Sequence, residues 1–109
     1  MAMTLSNVDQ TLPTASDQVI AGPAAGALTI LKATVCNTDA APHKVTVNRV
    51  AMGATAEAAN ALVDALTVAA GETLTLAISG HSLVSGQSLY ASAEVGGVVN
   101  MSVSFALTT

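Results

Sequence analysis

The clearest pattern lies at the C-terminal end of the chain. Val99, Met101, Val103, Phe105 and Leu107 alternate with Asn100, Ser102, Ser104 and Ala106. A period of two puts the larger apolar side chains on one face of a strand and the small or polar ones on the other. Just upstream, Leu89, Ala91, Ala93 and Val95 alternate with Ser88, Tyr90, Ser92 and Glu94, and Gly96-Gly97 separates the two runs. Glycine tolerates positive φ at the centre of a two-residue turn, so the pattern predicts a β-hairpin.

The same alternation recurs towards the N-terminus. Val19-Ile20-Ala21 is a short strand closed by Gly22-Pro23. Ala27 to Asn37 is a long β-prone run whose apolar face changes side near Ile30-Leu31. A β-bulge would produce that slip, and a strand buried on both faces would tolerate it. After a turn at Thr38 to Pro42, the run His43 to Met52 sets Val45 and Val47 against Lys44, Thr46 and Asn48. These two runs are expected to form a second hairpin. Gly53 to Ala61 is alanine-rich but too short for a lasting helix, so a loop with one helical turn is expected. Leu62 to Ala69 reads as a strand with Leu66 and Val68 inward. Beyond the Ala69 to Glu72 turn, Leu74, Leu76 and Ile78 share a face.

About eight short runs, with turn signals about every 8 to 12 residues, predict an all-β chain: an antiparallel β-sandwich, jelly-roll-like. Short strands with one apolar face must bury it against a second sheet. Residues 1–18 depart from this pattern. They are polar and mixed, with Pro13 inside, and read as an N-terminal arm before a sandwich domain at 19–109. Leu5, Val8 and Leu12 are the arm's candidate partner contacts, as one helical turn or as scattered anchors. A loose tail accounts for the same residues.

Composition adds a bias towards assembly. Charged residues make up 9% of the 109 residues, against about 25% in typical domains. Much of the surface is therefore left to Ala, Ser, Thr and Val, which protects poorly against association. Homo-oligomers are expected. The net charge is −4, with Lys32, Lys44 and Arg49 the only fixed positive charges. That balance argues against nucleic acid and against anionic membrane surfaces as partners. No segment approaches 18 uninterrupted apolar residues. The opening MAMTLSNVDQTLPT lacks the charged and apolar regions of a secretory signal. A lone Cys36 cannot form an internal disulfide and reads as a small buried hydrophobe, which fits folding in the cytosol.

Candidate chemistry is sparse. His43 and His81 have no metal-ligand spacing with Cys36, and both read as solvated turn residues. The serines around His81 lack nucleophile-elbow spacing. The seven acidic residues are spread over separate segments. The expectation is no enzyme, no catalytic residue, no metal and no cofactor. Tyr90 alone makes a thin stacking platform for a sugar, and a sugar-binding or cell-surface module ranks third among the readings.

Asn37, Ala59-Asn60-Ala61-Leu62, Ala70-Gly71-Glu72-Thr73, Ser85-Gly86-Gln87-Ser88-Leu89 and Gly96 to Asn100 mark a series of turns and strand ends. Over Ala27 to Leu107 this arrangement resembles small structural proteins of tailed bacteriophages. The resemblance implies a non-enzymatic virion component, made in the host cytoplasm. Capsid decoration (cement) is the first reading, and a neck, tail or fibre-associated protein is the alternative. The partners it implies are further copies of the chain and the major capsid protein.

Overall fold

The computed structural model describes residues 3–108. Met1 and Ala2, at the start of the expected arm, lie outside the described residues, as does Thr109. The strands are β1 (Met3–Thr11), β2 (Asp17–Ala21), β3 (Ala27–Asn37), β4 (His43–Ala51), β5 (Ala61–Val68), β6 (Thr73–Thr75), β7 (Ser82–Leu83), β8 (Gln87–Ala93) and β9 (Val99–Thr108). They form two antiparallel sheets, ordered β1-β9-β3-β6 and β2-β8-β4-β5, with β7 also on β3. β6 opposes Thr34 to Cys36 and β7 opposes Leu28 and Thr29, so the two are pieces of one interrupted edge strand. With these counted as one strand, first, last, third and sixth share a sheet, and second, seventh, fourth and fifth share the other. That is the order of an eight-strand, double-sheet jelly roll.

This order corrects both expected hairpins. β8 lies in one sheet and β9 in the other. The Gly96-Gly97 turn exists, with Gly97 at φ 84°, but it carries the chain across the end of the sandwich. β3 and β4 are likewise split between sheets, and among the described residues β4–β5 is the one pair of consecutive strands that hydrogen-bond to each other. Two alternating runs joined by a tight turn have the same pattern in a hairpin and in an arch. In the arch their apolar faces meet across the core rather than lying side by side.

Most of the face assignments hold, although Val95, expected on the apolar face, is 40% exposed. Val99, Met101 and Val103 are buried and Asn100 and Ser104 exposed, while Phe105 is half-buried against the core. Opposite them, Leu89, Ala91 and Ala93 of β8 and Val45 and Val47 of β4 close the core from the other sheet. The slip at Ile30-Leu31 is a bulge: the β3–β9 register shifts between Ile30 and Lys32, and Leu31 turns out to solvent. Leu66 departs from expectation and is exposed, whereas Val68 is fully buried. Ala65 sits at φ 49° and the β4–β5 register shifts twice nearby, which rotates this part of β5 away from the core. The alanine-rich loop holds a single 3-10 turn, Ala58–Asn60. It is fastened to β4 by Asn48, whose Nδ2 donates to the Glu57 carbonyl and to Asn60 Oδ1, both at 2.9 Å.

Residues 3–11 are extended rather than helical. They pair with β9 without interruption, from Met3 opposite Thr108 to Thr11 opposite Asn100. The spacing of Leu5, Val8 and Leu12 mimics a helical turn, but each residue falls in a different environment of a strand and its exit.

Candidate assembly interface

A sandwich has four open edges, and an edge strand is a template for further pairing unless something blunts it. Three edges here are blunted. β6 and β7 hold three and two residues. β2 has five residues with a register shift between Gln18 and Ile20. β5 is bulged at Ala65 and carries Asp64. β1 is different. Its nine residues run unshifted, without proline, lysine or arginine. Its one charge, Asp9, accepts a 2.6 Å hydrogen bond from Ser102 Oγ.

The three predicted contact residues separate along β1. Leu5 is 67% exposed, opposite Ala106 on the outer face of the sheet. Val8, opposite Val103, faces inward and packs against the core. Leu12 is fully buried and belongs to the core itself. Its N–H donates to the Val99 carbonyl at 2.8 Å, and the next residue, Pro13, accepts from Ala93 N–H at 3.0 Å. Of the three side chains, Leu5 has the most surface to offer a partner. Met3, 69% exposed on the same outer face, extends that surface.

The end of the sandwich near Leu12 carries two polar clusters that sequence reasoning did not assemble. Asn37 is fully buried at the end of β3, and its Nδ2 donates to the carbonyls of Ala41 (2.8 Å) and Val68 (3.0 Å). His43, read from the sequence as solvated, is 8% exposed. Its Nε2 lies 2.6 Å from Asp39 Oδ2 and its Nδ1 3.2 Å from Glu94 Oε1. Only an imidazolium donates from both nitrogens. The hydrogen bond to Asp39 accordingly raises the His43 pKa, opposed by burial and helped by Glu94. In turn, the hydrogen bond from His43 lowers the Asp39 pKa, with help from the Ala40 N–H. The proximity of Pro42 suggested a turn but gave no sign that Glu94, far along the chain, closes over the ring.

Little else in the molecule offers chemistry. Among the described residues no group of three His, Cys, Asp or Glu side chains could hold a metal. A shallow depression of about 370 Å³ lies over β4 and β8, floored by Val50, Ser88 and Tyr90 and walled by Gln18 and Met52. No acidic or basic side chain lines it. Tyr90 is half-buried there. Cys36 is half-exposed on the outer face of its sheet. Among the described residues no helix is long and apolar enough to cross a membrane.

No protein-family profile matches this chain, and no curated protein matches it by sequence. Solved structures do resemble it. One is a chain of the acid-stable capsid of Helicobacter pylori bacteriophage KHP30, with a TM-score of 0.58 and 14% identity, over 100% of this chain and 90% of that one. Another comes from Bacillus endospore appendages, described as disulfide-linked pili, with a TM-score of 0.58 and 13% identity, over 98% and 87%. A third is from infectious bursal disease virus strain Gx, with a TM-score of 0.53 and 10% identity, over 98% of this chain and 33% of that one. At these identities the likeness establishes the fold: a jelly roll of nearly the same length as the phage capsid chain.

Proposed function

We propose that this chain is a non-enzymatic structural protein of a virion, and specifically a decoration protein that binds and stabilises the assembled head of a tailed phage. The observation that carries the reading is the complete jelly-roll strand order in a chain almost coextensive with one from a phage capsid. The weakly charged surface and the unblunted β1 edge support it, because both suit contact with protein neighbours better than with a small substrate. Decoration works by mass action: binding the finished shell in preference to free subunits stabilises the shell. Repetition over a symmetric lattice turns weak contacts into durable ones. On this reading the partners are further copies of the chain and the major capsid protein.

The test is to locate and count the protein in intact particles by electron microscopy and quantitative mass spectrometry. Decoration requires saturable binding to expanded heads, in copy numbers matching the capsid lattice. A neck, tail or fibre role is the second reading, favoured by the similar fold found in a filamentous appendage. It would instead give few copies at one vertex or a periodic array along a tail.

A further inference from the structure

The direction of the free hydrogen-bonding groups on β1 can be read from its exit. Leu12 N–H points at β9, bonding the Val99 carbonyl. Backbone groups alternate sides along an antiparallel strand, and the β1–β9 register has no shift. Thr4, Ser6, Val8 and Gln10 therefore point towards β9, and Met3, Leu5, Asn7, Asp9 and Thr11 point away from it. Nothing among the described residues pairs with that outward row.

An edge is complemented by another edge of matching length. The other edges of the chain are short or bulged, so among the described residues the one edge able to match nine unbroken residues is β1 of a second copy. Antiparallel pairing of two identical strands is generated by a two-fold axis. Full overlap of Met3–Thr11 places that axis at Asn7. Met3 then opposes Thr11 of the second copy, Leu5 opposes Asp9, and Asn7 opposes Asn7. These three kinds of pair are made of outward-pointing residues and exchange two backbone hydrogen bonds each, while Thr4 with Gln10 and Ser6 with Val8 form the alternating pairs that exchange none. The like charges avoid each other: the two Asp9 side chains are offset by four strand positions, about 13 Å. The Asn7 carboxamides meet as donor and acceptor on one face.

We infer that β1 is a self-association edge, and that two copies of this chain pair their β1 strands antiparallel about Asn7 to make one continuous sheet through both molecules. The inference rests on the assembly reading above, and supplies the contact between copies.

Cysteine cross-linking in the full chain with Cys36→Ser tests the register. Opposed hydrogen-bonded residues have Cα atoms about 5.5 Å apart, within disulfide reach of about 4.4–6.8 Å. Asn7→Cys should give a covalent dimer under mild oxidation, and Asp9→Cys, about 13 Å from its counterpart, should not. A second measurement uses proline. Asn7→Pro removes an outward N–H and leaves the bonds to β9, so it should weaken self-association by sedimentation about tenfold or more while thermal unfolding stays close to wild type. Ser6→Pro, which faces β9, should lower thermal stability instead. The inference is overturned if Asn7→Cys and Asp9→Cys cross-link equally or not at all, or if Asn7→Pro leaves self-association intact. Particles that still contain the protein would then leave the virion reading standing. Absence of the protein from particles would sink that reading whatever the cross-links show.

Discussion

Asn37 Nδ2 donates to the Val68 carbonyl at 3.0 Å, from the end of β3 in one sheet to the end of β5 in the other. The same nitrogen bonds the Ala41 carbonyl, while Oδ1 accepts from Asp39 N–H at 3.0 Å. One carboxamide thus joins the two sheets and shapes the turn between β3 and β4. Leaving buried polar groups without partners costs about 1–3 kcal/mol each. Asn37→Ala should therefore lower stability by about 2–3 kcal/mol, with a fall in Tm on the order of 10 °C. Asn37→Asp should be no better, since it keeps the acceptor, loses both donors and buries a charge. Urea unfolding of the three proteins checks this.

The His43 clasp makes stability depend on pH. Its folded pKa is raised, so its contribution is complete below the unfolded value of about 6.5 and is lost as pH rises through the folded value. Asp39 is lowered; its contribution is present above about 3.9 and is lost as pH falls through its folded value. The advantage of wild type over His43→Gln should be greatest between those limits and shrink on the alkaline side. Urea midpoints across that range decide it. A difference that does not change with pH would show that the ring is held neutral.

The two ends of the expected arm should respond differently to truncation. Leu12→Ala opens a cavity in the core and should cost about 2–5 kcal/mol. Leu5→Ala, on an exposed face, should stay within about 0.5 kcal/mol. Deleting residues 1–7 should leave the sandwich folded, whereas deletion through Gln18 takes Leu12 with it and should destabilise strongly. Circular dichroism melts separate the cases.

Gly22 and Gly97 form a contrasting pair. Gly22 N–H donates to the Gln87 carbonyl at 2.7 Å, and an added Cβ would collide with the backbone carbonyls of Val84 and Gln87. The backbone there must move, so Gly22→Ala should cost more than about 3 kcal/mol or prevent folding. Gly97 has open space around it and a positive φ, so Gly97→Ala should cost only about 1 kcal/mol of backbone strain. Soluble yield and Tm of the two variants provide the comparison.

Much of the fold was legible locally. Alternation located most of the strands, the alanine-rich loop held its one helical turn, and the face change at Ile30-Leu31 marked a real bulge. Pairing was not legible. Val99 to Leu107 and Leu89 to Val95 have the same pattern whether they lie side by side or face each other across a core. Here their partners come from distant β1, β2, β3 and β4. Residues 3–11 were missed as a strand because most of their side chains are exposed: the backbone ladder to β9, rather than an apolar face, holds them. The clasp was hidden for a similar reason, since Asp39 and His43 are close in sequence but Glu94 arrives only through the topology. Asn37 stood out in the sequence as a strand-ending residue, but its role needed the position of Val68.

The pairing of Met3 with Thr108 also has a kinetic meaning. The first strand has no sheet to join until the last has been synthesised, because β9 stands between β1 and β3. Contacts between such distant parts of a chain form slowly, on the millisecond-to-second scale typical of all-β domains. A chain that lacks β9 cannot display an ordered β1 edge. Synthesis of β9 is thus a precondition for that edge, and chains without it are kept out of any assembly that uses it.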